Sequence, residues 1–186
     1  MNIALIVIIG LVVIVGLWLI LSRNNFVKVK NQVEEAFSTM DVYLKKRYDL
    51  IPNLVETVKG YATHESETFT KVTAARTAAM SATSIDEKIA NENALSGTLK
   101  SLFAVAEAYP QLQANTNFLD LQQQLQTLEG EIAESRKYYN AIVRTMNTMV
   151  ESFPSNLIAS IFGFKKQPFF EVGGAEEREN VKVKFN

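Results

Sequence analysis

Nineteen consecutive positions, Ile3 to Leu21, read IALIVIIGLVVIVGLWLIL and carry no charge. At 1.5 Å per residue such a run makes roughly 28 Å of helix, about the thickness of a bilayer's hydrocarbon core. A secretory signal would have a basic flank ahead of a shorter apolar run and a small-residue cleavage site behind it. Here Met1 and Asn2 precede the run, and Ser22-Arg23-Asn24-Asn25 follows. The run therefore predicts a single transmembrane helix over residues 3–21, with the lipid bilayer as its partner. Arg23, Lys28 and Lys30 follow the run and neither residue ahead of it is basic, so the positive-inside rule places Met1 outside and the body in the cytoplasm.

Beyond residue 25 the pattern is helical almost throughout. Val29, Val33, Phe37, Met40, Leu44, Tyr48, Ile51, Val55, Val58 and Ala62 recur at steps of three or four, the stripe of one helix face. The stripe passes Pro52 without losing register, and no glycine or polar turn residues surround that proline. A kinked but continuous helix is expected there, fading near His64 and resuming at Phe69 and Val72; the alternative is a tight turn at Pro52 that splits the segment in two. A second helix opens at a capping box, Ser84 with Glu87, and Pro110 should stop it. After a polar link, Gln111 to Asn115, a third helix carries the most regular stripe, from Phe118 through Leu125, Ile132, Tyr139 and Met146 to Phe153. A short apolar helix, Leu157 to Phe162, closes the series. The expected fold is all-α, an N-terminal transmembrane helix followed by an antiparallel helical bundle of three long helices and a short fourth over residues 26–172. The last stretch, 173–186, reads as a flexible polar tail.

The residue inventory excludes much chemistry. With no cysteine and one histidine among 186 residues, thiol nucleophiles, Fe–S clusters and cysteine-based zinc sites are ruled out. His64-Glu65 begins a metalloprotease-like pattern, but Thr68 stands where its second histidine belongs. A ferritin-like di-metal site needs two Glu-x-x-His pairs. A carboxylate-only site would have to draw on Glu56, Glu107 or Glu131. Neither phosphate-binding glycine pattern occurs, and 19 basic side chains interleave with 20 acidic ones, so no nucleic-acid surface is expected. The expectation is no enzyme, no cofactor and no metal.

Several long runs resemble the LemA family. They include Arg47-Tyr48-Asp49-Leu50-Ile51-Pro52-Asn53-Leu54-Val55-Glu56-Thr57-Val58-Lys59-Gly60-Tyr61, and Glu107-Ala108-Tyr109-Pro110-Gln111-Leu112-Gln113-Ala114-Asn115 continuing to Phe118-Leu119-Asp120-Leu121-Gln122. Glu129, Arg136, Tyr139-Asn140, Asn147 and Phe153-Pro154-Ser155-Asn156 extend the likeness, which covers roughly residues 3 to 172. The resemblance implies a single-pass protein of the bacterial cell membrane, with no established reaction. It also suggests a role in envelope upkeep or stress and a membrane zinc metalloprotease as a candidate partner.

Two polar stripes are the candidate interaction or register residues. Asp49, Asn53 and Glu56 share the helix face opposite the apolar stripe, suited to contacting a neighbouring subunit. Glu129, Arg136, Asn140 and Asn147 edge the third helix's stripe, and Arg136 is expected to pair with a carboxylate such as Glu56 or Glu107. A Phe-rich segment, Phe153 to Phe170 with Lys165 and Lys166, suits either a plug over the bundle end or a membrane-surface contact. With a continuous first helix, chain parity would leave it far from the bilayer; with a turn at Pro52 the parity flips and the segment returns to it. The function expected is a membrane-anchored scaffold that assembles as a homo-oligomer; the alternative is a monomeric adaptor or regulator of a membrane protease or sensor.

Overall fold

A computed structural model describes residues 3–171. Among them the regular elements are all helices: α1 (Ile3–Lys59), α2 (Ser66–Ser81), α3 (Ile85–Glu107), the one-turn α4 (Pro110–Gln113), α5 (Thr116–Glu151) and α6 (Ser155–Phe162). The tail expected over 173–186 lies outside the described residues. The described chain forms two units, residues 3–41 with 134–169, and residues 42–133 with 170–171.

In the first unit, the apolar run at the start of α1 is exposed, as a surface meant for lipid must be. The same helix then buries Phe26, Val29, Val33, Ala36 and Met40. Against them lies the C-terminal part of α5, antiparallel: the Asn25 amide donates to the Met149 sulfur at 3.9 Å, and Phe37 meets Tyr139 edge-on at 5.9 Å. α5 ends at Glu151, and a cis Phe153–Pro154 peptide leads into α6. Gly163 then leaves α6 at a positive φ of 72°, a conformation that costs glycine little. The Phe164 ring that follows stacks on Phe26, with centroids 4.7 Å apart.

In the second unit, α2 and α3 form a hairpin across Ala82-Thr83-Ser84, which makes them antiparallel neighbours, and the Asn91 amide donates to the Ala78 carbonyl at 3.1 Å. The capping box is present as the sequence predicts: the Ser84 hydroxyl accepts from the Glu87 N–H, and the Glu87 carboxylate accepts from the Ser84 N–H. Asn115 starts α5, its side-chain oxygen accepting from the Phe118 N–H at 2.9 Å.

Two expectations change. The first long helix does not resume past His64 as one helix; it breaks over Gly60 to Glu65, so the bundle has an additional reversal there. After the buried Ala62 the stripe finds no apolar residue until Phe69, and Gly60 is a weak helix former. Pro52, by contrast, stays inside α1. A proline donates no N–H, which removes the bond that the carbonyl four residues earlier would accept. That carbonyl belongs to Tyr48, and Arg76 of α2 supplies the missing donor, Nε to O at 2.6 Å. The second change is smaller. Pro110 does not simply stop a helix but opens α4, in which Leu112 is fully buried.

Candidate functional site

The most concentrated polar chemistry of the second unit is buried where α1, α3 and α5 meet. Arg47 extends from α1 with no exposure at all. Its Nη2 pairs with Oε2 of Glu92 on α3, also fully buried, and its Nη1 lies 2.6 Å from Oε1 of Glu129 on α5. The Ser96 hydroxyl stands 3.5 Å from the same Nη1. The Tyr48 hydroxyl donates to the other oxygen of Glu92. One guanidinium therefore faces two carboxyl groups from two different helices, and a phenol closes the set.

Helical spacing explains the convergence. On α1 the buried positions 40, 44, 47, 51, 54 and 58 alternate steps of four and three, so Arg47 fills a core position. On α3, Glu92 fills the gap between Ile89 and Leu95 in a series that continues to Leu99 and Leu102. On α5, Glu129 stands between Leu125 and Ile132 in the same way. Each charge thus occupies a place that the pattern reserves for an apolar residue. Removing one partner strands the others in a low-dielectric interior, whereas the complete set pairs both terminal nitrogens of the guanidinium and leaves only its buried Nε without a hydrogen bond among the described residues. The arrangement fixes which helices meet and in what register. Glu129 keeps its side chain 42% exposed, at the edge of a groove of about 410 Å³ between α3 and α5 that Leu99, Phe103 and Gln126 also line.

The predicted site residues separate. Asp49, Asn53 and Glu56 are exposed on α1, as a stripe opposite the core should be, and Glu56 pairs with Lys59 at 3.5 Å. Arg136 and Asn147 are buried in the first unit, and Asn140 is half-buried. Asn147 grips the chain after α6 through two bonds: its amide donates to the Gln167 carbonyl at 2.9 Å, and its side-chain oxygen accepts from the Gln167 N–H at 2.8 Å. His64 is exposed in the turn between α1 and α2. Glu56, Glu107 and Glu131 are each exposed on different helices. Arg47 and Glu92 were absent from the expected site because the α1 stripe can be traced through Tyr48 and because the six-residue gap on α3 was left unfilled. That gap was the available signal.

The family model for LemA proteins matches residues 36–185. The chain belongs to the LemA family. The match begins past the apolar run and reaches beyond residue 172, so it is placed differently at both ends from the likeness read in the sequence. Among LemA-related proteins, the chain is 26% identical over 165 residues to "Protein LemA" of Metamycoplasma hominis, covering 87% of this chain and 73% of that one. It is 28% identical over 179 residues to "Magnetosome protein MamQ 2" of Paramagnetospirillum magneticum, covering 82% of this chain and 66% of that protein. A MamQ of Magnetospirillum gryphiswaldense is 22% identical over 178 residues, covering 82% of this chain and 65% of that one. The chain thus spans just under two thirds of the length of the MamQ relatives. None of these names is that of an enzyme. Family membership and the apolar N-terminal helix together mark a membrane-associated helical protein, and Arg47, Tyr48, Glu92 and Glu129 all lie within the LemA match.

Proposed function

We propose that this LemA-family chain is a non-catalytic, membrane-anchored helical scaffold that self-associates at the membrane and serves envelope maintenance or stress. One observation carries the reading. α1 leaves the apolar run and supplies core residues to each unit without interruption, and its most buried charged side chain, Arg47, is committed to holding helices together. A protein built this way offers surfaces rather than a reaction. The exposed Asp49, Asn53 and Glu56 stripe, rich in hydrogen-bonding groups, supplies the surface for a second copy. The basic residues after the apolar run support a cytoplasmic body.

Multi-angle light scattering of the full chain in detergent tests the assembly directly. A mass of two or more chains is expected, and Asp49→Ala with Asn53→Ala and Glu56→Ala should lower it. A mass of one chain at every concentration would overturn self-association and leave the chain as a monomeric adaptor, for which a membrane protease is the partner to test. Electron microscopy of the same preparation separates a closed oligomer from an open array.

A further inference from the structure

The first unit holds a second apolar surface beside the anchor. Leu157 and Ile161, one helical turn apart on α6, are 50% and 68% exposed, and Phe153, in the turn ahead of α6, is 80% exposed, so α6 and its approach present exposed apolar side chains. The opposite side of α6, Ile158 and Ala159, is buried, which fixes the ridge of Leu157 and Ile161 outward. Exposed large apolar side chains in a row mark an interaction surface rather than ordinary solvent exposure.

What covers the ridge follows from where α6 is held. The Arg23 guanidinium lies over the Phe162 ring at 5.6 Å, and Phe164 stacks on Phe26. Arg23 stands two residues past the apolar run and Phe26 five, which is about 3 and 7.5 Å along the helix. The headgroup layer on each side of a bilayer is about 5–7 Å deep. α6 therefore sits at the level of that layer whenever residues 3–21 span the core. This overturns the sequence-based expectation that the Phe-rich segment lies far from the bilayer, because the break at residues 60–65 adds a reversal and brings the segment back. The plug alternative holds for part of the segment, since Phe170 is buried and Phe164 is half-buried, but Phe153 and Ile161 face outward. Lys165 follows α6, exposed. An apolar ridge with basic residues at its border, held at headgroup depth, has the composition of an interfacial helix.

We propose that α6 is a second membrane contact, with Phe153, Leu157 and Ile161 inserted at the headgroup–acyl boundary of the leaflet that α1 exits. The proposal rests on the membrane-anchored reading of residues 3–21. A chain without cysteine makes the test clean. Single variants Leu157→Cys, Ile161→Cys, Ile14→Cys and Ser101→Cys of the full chain are spin-labelled and reconstituted into vesicles of phosphatidylethanolamine and phosphatidylglycerol. Collision rates with oxygen and with a water-soluble nickel chelate are then compared. Labels at 157 and 161 should favour oxygen severalfold more than the label at the exposed position 101, and less than the label at 14. If the label at 14 favours oxygen while those at 157 and 161 match position 101, α6 lies in water and the proposal is overturned with the anchor intact. If instead the label at 157 or at 161 is shielded from both reagents, and its spectrum is broadened in a way that unlabelled chain dilutes away, a second copy covers the ridge, which overturns it equally. A label at 14 without oxygen preference would sink the anchor itself.

Discussion

The two units tie their helices with different chemistry. In the second, the ties are charged: Arg47 reaches Glu92 and Glu129, and Arg76 reaches a carbonyl that Pro52 leaves without its usual donor. In the first, neutral ties stand beside charged contacts nearer the surface: Asn147 holds the Gln167 backbone at both ends of its amide, the Tyr139 hydroxyl donates to the Pro168 carbonyl at 3.0 Å, and Phe26 stacks on Phe164, while Lys166 pairs with Glu151 at 2.5 Å and Arg23 lies over the Phe162 ring. Charged ties specify strongly because losing one partner exposes the cost of burying the other. Neutral side-chain-to-backbone bonds hold a chain segment with a smaller penalty. The second unit should thus be the more brittle of the two toward single substitutions.

The largest effect is expected at Arg47. Arg47→Ala leaves Glu92 buried without its cation and should destabilise the full chain by about 3–5 kcal/mol, read as thermal unfolding in detergent. The combined Arg47→Met and Glu92→Leu variant should recover most of that loss, because a well-packed apolar pair of similar volume is often neutral or better. If the double variant is as unstable as Arg47→Ala, the cluster is not a self-contained tie. Next comes the Pro52 repair. Arg76→Ala should cost about 1–3 kcal/mol, the penalty of an unmet buried acceptor. In a Pro52→Ala background the helix regains its own donor, and the same substitution should cost much less. Equal losses in both backgrounds would break the proposed link between Arg76 and Pro52.

A smaller effect is expected in the first unit. Asn147→Ala removes two hydrogen bonds and should cost about 1–2 kcal/mol, with faster hydrogen exchange at the Gln167 amide as its local signature. A loss matching that of Arg47→Ala would erase the contrast between the units. The smallest effect concerns pH. The backbone N–H of Thr83, followed by that of Ser84, holds the Glu87 carboxyl below its ordinary range. A depressed carboxyl stabilises the fold above its unfolded value, and that contribution fades as pH falls through the folded one. The first turn of α3 should therefore fray on acidification, seen as falling protection of the Glu87 and Lys88 amides relative to their intrinsic exchange rate at each pH. Glu87→Gln should flatten that dependence.

Much of this architecture was legible in the residue pattern. The apolar steps of α1 and α5, the Ser84–Glu87 box and the short α6 all follow from local periodicity and capping chemistry. Two things were not. Whether a helix passes Pro52 depends on Arg76, twenty-four residues away, and no local rule reveals a donor arriving from another helix. Arg47 and Glu92, the buried charges, are hidden for a different reason: both lie on their stripes, but apolar recurrence steps over charge, and Tyr48 offers an apolar detour around Arg47. Glu129, half-buried, is legible as a polar residue at the edge of the third helix's stripe. Asn147 was visible as a polar residue at the stripe's edge, while its partner, the Gln167 backbone, is set by the path of the chain after α6.

The unbroken course of α1 through residues 3–41 has a mechanical consequence. A bilayer thinner or thicker than the apolar run changes the tilt of the helix crossing it. With no joint between Leu21 and Phe26, a change of tilt cannot be absorbed at the membrane surface. Where residues 3–21 cross a bilayer, it would become a displacement of Phe26, Val29 and Val33 and of everything packed on them, and the helix proposed as an anchor would then act as a lever moved by membrane thickness.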